Sequence, residues 1–220
     1  HSLLSELLVQ SIDRGRDATG FAAFTEPLDG PRKSRIITDK EPIESTGFVR
    51  QNPFWRSLSR IRCRSIVGHV RASTSGSPLV NANNHPHEGV CAKSGMFSLV
   101  HNGWVENVSD LVDRHSLKLR TDCDTEVAAR LIEHAGSIPE GLYRCLTEVR
   151  GAQAYAVLDW KTGTTYLTRD DNRPLWVCRL TDNRRVLYAS TPQIITRAVQ
   201  KRLGPCDDWI GDLHPLAPGY

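Results

Sequence analysis

Between Ala152 and Ser190 four apolar segments follow one another with only short polar turns between them. They read AQAYAVLDW, TTYLTR, LWVCRL and RVLYAS, and the turns carry Lys, Gly, Asp and Asn. Segments of this length, separated by turn formers, predict a meander of antiparallel strands. A sheet must bury at least one face, so the rest of the chain has to supply its cover.

The remainder supplies both helices and strands. Leu3, Leu4, Leu7, Leu8 and Ile12 lie on one face of a helix predicted over 2–13, which ends at Arg14-Gly15. Gly20–Phe24 and Arg35–Thr38 read as strands joined by a polar turn that contains Pro and Gly. A helix within 43–61 is interrupted near Pro53. Ser65–Val70 and Phe97–Val100 read as strands, and 108–115, 124–134, 139–149 and 191–202 as helices. There is no internal repeat, low-complexity linker or break in composition, so residues 1–220 are expected to form one domain. Strands and helices in this mixture suggest an α+β fold of stacked sheets with helices outside.

Composition excludes several classes. The chain has 220 residues, 39% hydrophobic and 24% charged, which fits a water-soluble globular domain. It has no apolar run long enough for a membrane span and no signal peptide, and its scattered, unpaired cysteines suggest a reduced, cytoplasmic chain. The net charge of +3 is spread among acids rather than gathered in a stripe, which argues against nucleic acid as a partner. The six cysteines form no CxxC pair, which argues against a disulfide framework or a zinc ribbon.

Three polar segments stand where rigid elements stop: Gly68–Thr74, His101–Trp104 and Asp122–Glu126. Strand and helix ends of this kind hold many binding sites. Each also has an ordinary reading. Arg71 could be a surface ion-pair residue, Asn102-Gly103 a common turn, and Asp122 or Asp124 a helix N-cap.

Their order decides between the two. Arg14–Gly20 (RGRDATG) resembles the RGxDxxG segment of class II, N-terminal-nucleophile glutamine amidotransferases, a family that includes glucosamine-6-phosphate synthase and amidophosphoribosyltransferase. GHVRASTSGSP from Gly68 is similar to its GHxRxxTxG, and Asn83–His87 (NNHPH) to its NAHPH. His101-Asn102-Gly103 followed by Glu106-Asn107 resembles HNGxIxN, and Asp124-Thr125-Glu126 matches DTE. Gly151–Ala156, Arg169-Asp170, Arg173–Leu175 and Pro218-Gly219 fit the later pattern. These matches span nearly the whole chain, in order.

The resemblance implies a four-layer αββα sandwich of two mostly antiparallel sheets, the Ntn-hydrolase type. It implies a glutaminase domain that hydrolyses glutamine to glutamate and ammonia for an acceptor on a synthase domain or partner protein. Arg71 would pair with the α-carboxylate of glutamine, matched to it by a planar two-donor fork. Thr74 would add a hydroxyl to it, and Asp124 would take the α-ammonium. Asn102 and Gly103 would form the oxyanion hole, where such donors are worth about 3–4 kcal/mol each. Arg14 would brace the nucleophile's amino group, and His85 would stand beside the pocket. No cofactor is implied. His85 and His87 with Cys91 could suggest metal ligation, but without a second pair of ligands no metal is expected.

In one respect the chain departs from the pattern. The family begins with a strand carrying an N-terminal Cys, whose own amine serves as general base. Here His1 falls where the family's first helix starts, and all six cysteines are internal. Either the front strand lies outside this sequence, or the protein is a catalytically inactive, amino-acid-binding or structural relative. Without that strand the chain is expected to bind glutamine or glutamate and not to hydrolyse it. Trp104, after HNG, argues against carrying over a sugar acceptor.

Overall fold

The leucine stripe of the first helix is divided between two clusters, and that division organises one side of the molecule. The computed structural model describes residues 1–26 and 35–219. Helix α1 (Ser2–Gln10) is followed by a 3-10 turn at Ile12–Arg14, where Gly15 ends it. Leu3 and Leu7 pack with Cys178, Leu180 and Ile195, whereas Leu4 and Leu8 pack with Phe21, Phe48 and Trp55. The helix therefore lies across two separate sheets.

The first of these sheets holds β1 (Ala18–Glu26), β2 (Arg35–Glu41) and β3 (Arg62–Arg71), in the order β2-β1-β3. The turn expected between β1 and β2 falls outside the described residues. Helices α2 (Ser45–Gln51) and α3 (Pro53–Ser57) intervene before β3. Pro53 opens α3, and the Asn52 side chain caps it by accepting from the Trp55 backbone N–H at 2.7 Å.

Strands β4 (His87–Cys91), β5 (Gly95–Val105), β6 (Gly151–Asp159) and β7 (Thr165–Arg169) form a four-stranded sheet in chain order. Between β5 and β6 run α4 (Val108–His115), α5 (Glu126–Ala135) and α6 (Ile138–Glu148). Val127, Leu131 and Ile132 of α5 pack into the core with Phe97, Leu99, Tyr155 and Val157 of this sheet, so α5 covers one of its faces. The other face meets the first sheet through Ala22, Phe24, Val67, Val100, Ala156 and Leu158.

The third sheet has β8 (Trp176–Leu180), β9 (Val186–Ala189) and β10 (Ile210–Pro215), in the order β10-β8-β9. Helix α7 (Pro192–Arg202) covers it, and a short α8 (Cys206–Trp209) leads into β10. Tyr188 of β9 reaches the inter-sheet core beside Val67 and Ala156, which sets this sheet next to β3 in one layer. Helices, sheet, sheet and helices thus give the expected α+β sandwich, with every strand pair antiparallel among the described residues. The expectation of two sheets is refined: one layer is divided into two three-stranded sheets.

Three other expectations change. Phe97–Val100 is the middle of a longer strand, because pairing with β6 continues through Gly103↔Gln153 to Val105↔Gly151. His101, Asn102 and Gly103 are strand residues, not a loop. Strands β4 and β10 are additions to the expected set, since HEGVC and IGDLHP are short and interrupted by Gly, His or acid and carry no strand pattern.

Glu6 ties α1 to α7. It is buried, and its carboxylate accepts from Gln10 at 2.8 Å, Lys201 Nζ at 2.9 Å and Arg202 Nε at 3.0 Å. Burial alone would raise its pKa. The hydrogen bonds from Gln10 and Lys201 and the charges of Lys201 and Arg202 outweigh burial and hold it below the ordinary value. A carboxyl with a depressed folded pKa stabilises above that range, and the contribution fades as pH falls through the folded value. Glu6→Ala is expected to cost about 1–2 kcal/mol at neutral pH, because both cations are partly solvated. Urea melts at pH 7 and pH 3 check this: the gap between variant and wild type should narrow in acid.

Candidate functional site

A cavity of about 380 Å³ lies under α1. Leu4, Leu7 and Leu8 roof it, and Val100 to Gly103 with Ala154 to Ala156 of β5 and β6 form its floor. Its two flanks are Ile66 and Gly68 to Arg71 of β3 and Val186 to Ala189 of β9. Both flanks are outermost strands of their sheets, each paired on one side only. Burial pushes the Tyr188 phenol up.

The polar end of the cavity gathers the residues singled out from the sequence: Arg14, Arg71, Thr74, His85, Asn102, Gly103 and Asp124. Arg71 ends β3 and is buried. Its Nη1 donates to Asn84 Oδ1 at 2.8 Å, and Nη2 to the Gly76 carbonyl at 3.1 Å and to the Ser75 carbonyl. All three acceptors are neutral, and no ion pair of Arg71 occurs among the described residues. The surface ion-pair reading is therefore excluded.

Asp124 stands just ahead of α5. Its Oδ1 accepts from Ser75 Oγ at 2.8 Å and from the Thr125 N–H at 2.9 Å, and its Oδ2 from the Val105 N–H at 2.7 Å. Cys123 Sγ makes a further, longer contact to Oδ1 at 3.8 Å, so Oδ1 is saturated, while Oδ2 accepts from Val105 alone and keeps one position open. Asp124 is thus a junction between the loop after β3, the end of β5 and the start of α5. The helix begins at Glu126, not Asp124.

Asn102 Nδ2 is buried and has no hydrogen-bond partner. Such an orphan donor in a cavity wall points to a ligand acceptor. At Gly103, φ is 155°, and an added Cβ would fall 1.7 Å from the Ala152 carbonyl oxygen. Only glycine lets β5 approach β6 this closely here. Gly15 is tight for a similar reason: a Cβ there would meet the Arg71 carbonyl carbon at 2.2 Å. Asp17 completes that contact, donating from its N–H to the Arg71 carbonyl and accepting from the Ser73 N–H at 2.7 Å. Arg14 is exposed at the cavity rim, and Thr74 is exposed beside it.

Residues behind and around the wall carry roles that local sequence pattern does not show. Asn84 orients Arg71, and Asn83 accepts from the Asp122 N–H at 2.9 Å, so NNHPH is a brace for the site. Lys40 Nζ donates to the carbonyls of Ala82, Asn84 and Pro86. Arg173 stacks 4.6 Å over the Trp104 ring at the cavity mouth. Cys123 lines the cavity, whereas Cys91 sits in the core and donates to the Ile132 carbonyl at 3.3 Å. The pairing of His85 and His87 with Cys91 is therefore wrong; Cys123 is the cysteine beside them.

The histidines here are neutral. Burial, reinforced by nearby positive groups, lowers His69 to about 3 and His85 and His87 well below the ordinary value. Burial lowers His101 to about 4 against the opposing charge of Asp124. Burial raises the Cys123 thiol.

Comparison with known proteins gives the family. Residues 73–197 match the family described as Glutamine amidotransferase domain. The chain belongs to that family. It is 31% identical over 186 residues to a glutamine–fructose-6-phosphate aminotransferase (isomerizing) of Halalkalibacterium halodurans, covering 78% of this chain and 28% of that protein. The enzyme of the same name from Aquifex aeolicus is 29% identical, covering 93% of this chain and 32% of that one. Among solved structures, a glutamine phosphoribosylpyrophosphate amidotransferase from B. subtilis superposes with a TM-score of 0.73 at 21% identity, over 99% of this chain and 43% of the other. The chain thus spans about a third of the length of its curated relatives. No helix among the described residues is long and apolar enough to cross a membrane.

Two outcomes follow. Gly103→Ala should cost about 2–3 kcal/mol or more by displacing β5 from β6, read as a lower denaturation midpoint. Acidification should also destabilise the fold. His101 takes a proton near 6.5 when unfolded but only at about 4 when folded. Its share is absent above 6.5 and grows by roughly 1.4 kcal/mol per pH unit below it until the folded value is reached; His69, His85 and His87, lowered likewise, add to the slope in the same direction. Denaturant melts at pH 7, 6 and 5 measure this slope.

Proposed function

We propose that this domain holds L-glutamine by its amino-acid head group and hydrolyses its side-chain amide to glutamate and ammonia. The observation that carries this reading is Arg71, a buried guanidinium hydrogen-bonded only to neutral oxygens, in one cavity with Asp124. A buried cation without an anion is costly, so the cavity is suited to a ligand carboxylate. Asp124 offers one open acceptor position to an ammonium. A cation and an anion held apart select a zwitterion, and Thr74 at the rim supplies a further hydroxyl.

The nucleophile in this reading is an N-terminal cysteine thiol on a strand preceding His1, seated between β3 and β9. Two singly paired strand edges facing one roofed cavity support it, because an inserted strand would satisfy both edges. The thiol attacks the amide carbon, and its proton passes through the α-amine to the departing ammonia. Asn102 Nδ2 and the Gly103 N–H receive the developing oxyanion, His85 stands in the wall beside them, and Arg14 at the rim steadies the nucleophile's segment. Water then releases glutamate and restores the thiol. The ammonia acceptor would lie on a further domain or a partner protein, as the longer relatives suggest.

The test is glutamate release from a chain extended to its native N-terminus, with the N-terminal residue verified by intact mass. Asn102→Ala should lower kcat about 10²–10³-fold with little change in KM. Arg71→Lys should chiefly raise KM, since an ammonium cannot match both carboxylate oxygens. A verified N-terminal cysteine without glutamate release would overturn the enzyme reading and leave an amino-acid-binding domain.

A further inference from the structure

We propose that His85, His87 and Cys123 form a binding site for a thiophilic d10 cation, with Zn²⁺ as the ion that fits it. One ring nitrogen from each histidine and the Cys123 sulfur lie within 4.8 Å of one another. All three residues are at least 95% buried. The Nε2 atoms of both His85 and His87 are buried without any hydrogen-bond partner, an unusual cost for two adjacent imidazoles. On His85 the other nitrogen, Nδ1, lies 2.9 Å from a His69 ring nitrogen. That contact fixes the ring and leaves Nε2 to coordinate, as outer partners do for metal-bound histidines.

The donor set chooses the ion. Two imidazoles and a thiolate suit zinc or copper(I) and are poor ligands for Mg²⁺ or Ca²⁺. A tetrahedral zinc ion holds such atoms about 3.3–3.8 Å apart, so the cluster needs to close by about 1 Å. Lys40 and Arg71 lie close enough to influence these groups, and they disfavour any added charge. The thiolate offsets part of it, its proton leaving to solvent as the ion binds. Asp124 is not among the ligand atoms gathered within 4.8 Å, so it does not complete the set.

His85 and Cys123 both line the cavity, so an open coordination position would face the polar end that holds Asp124. Resting on the proposed glutamine site, this makes Zn²⁺ and the amino-acid head group competitors. The metal site itself does not depend on that reading.

The experiment titrates the reduced chain with Co²⁺ and Zn²⁺ at neutral pH. A thiolate-to-cobalt charge-transfer absorption, bleached by one equivalent of Zn²⁺, is expected in the wild type and in Cys63→Ser. It should be lost in Cys123→Ser, and His87→Ala should weaken Zn²⁺ binding at least tenfold by calorimetry. Surface histidines can bind zinc too, but they give no thiolate band. X-ray absorption of the zinc-loaded wild type needs no variant to fold: one sulfur and two imidazoles support the site. Absence of the band, its persistence in Cys123→Ser, or a zinc shell without sulfur would overturn it. Loss of L-glutamine binding on zinc loading tests the competition; unchanged binding would overturn that consequence alone.

Discussion

The Asp124 carboxylate is the contact on which the arrangement of the site depends. It joins three segments distant in sequence, through Ser75 Oγ, the Val105 N–H and the Thr125 N–H. Charge-assisted bonds of this kind are stronger than neutral ones, and three on one carboxylate over-determine its position. Ser75 in turn fixes the loop whose carbonyls hold the Arg71 guanidinium. The distance between the cationic and anionic poles of the cavity is thus set by the backbone rather than by flexible side chains. Preorganised poles lose little when a zwitterion arrives.

Above those poles the fold roofs the cavity. One leucine helix spans two sheets because its stripe is split, Leu3 and Leu7 to one side and Leu4 and Leu8 to the other. Beneath it, β3 and β9 turn edges toward the same cavity. Buried strand edges leave backbone donors and acceptors to be satisfied. The packing that builds the cavity and the chemistry at its end are therefore one construction.

Much of this was legible in the sequence, for identifiable reasons. The meander after Ala152 and the helices over 108–115 and 191–202 announce themselves by period and turn residues. The polar segments at Arg71, Asn102 and Asp124 could be placed because they follow apolar runs, and family order gave them meaning. Less was legible where meaning depends on distant pairing. His101–Gly103 looked like a turn because Asn-Gly favours turns locally, yet nine-residue pairing with β6 holds it extended. Cys91 is nearer to His85 and His87 in sequence, but β4 carries it into the core, and the segment before α5 brings Cys123 to them instead. Ser75 and Asn84 read as generic polar residues; their roles exist only because Asp124 and Arg71 lie across from them.

A crystal structure of the domain with L-glutamate bound would test the central claim most directly. The account predicts the α-carboxylate on the Arg71 guanidinium, the α-ammonium on Asp124 Oδ2, and the side chain running toward Asn102 and Gly103. A ligand bound elsewhere on the molecule, or with its carboxylate away from Arg71, would contradict it.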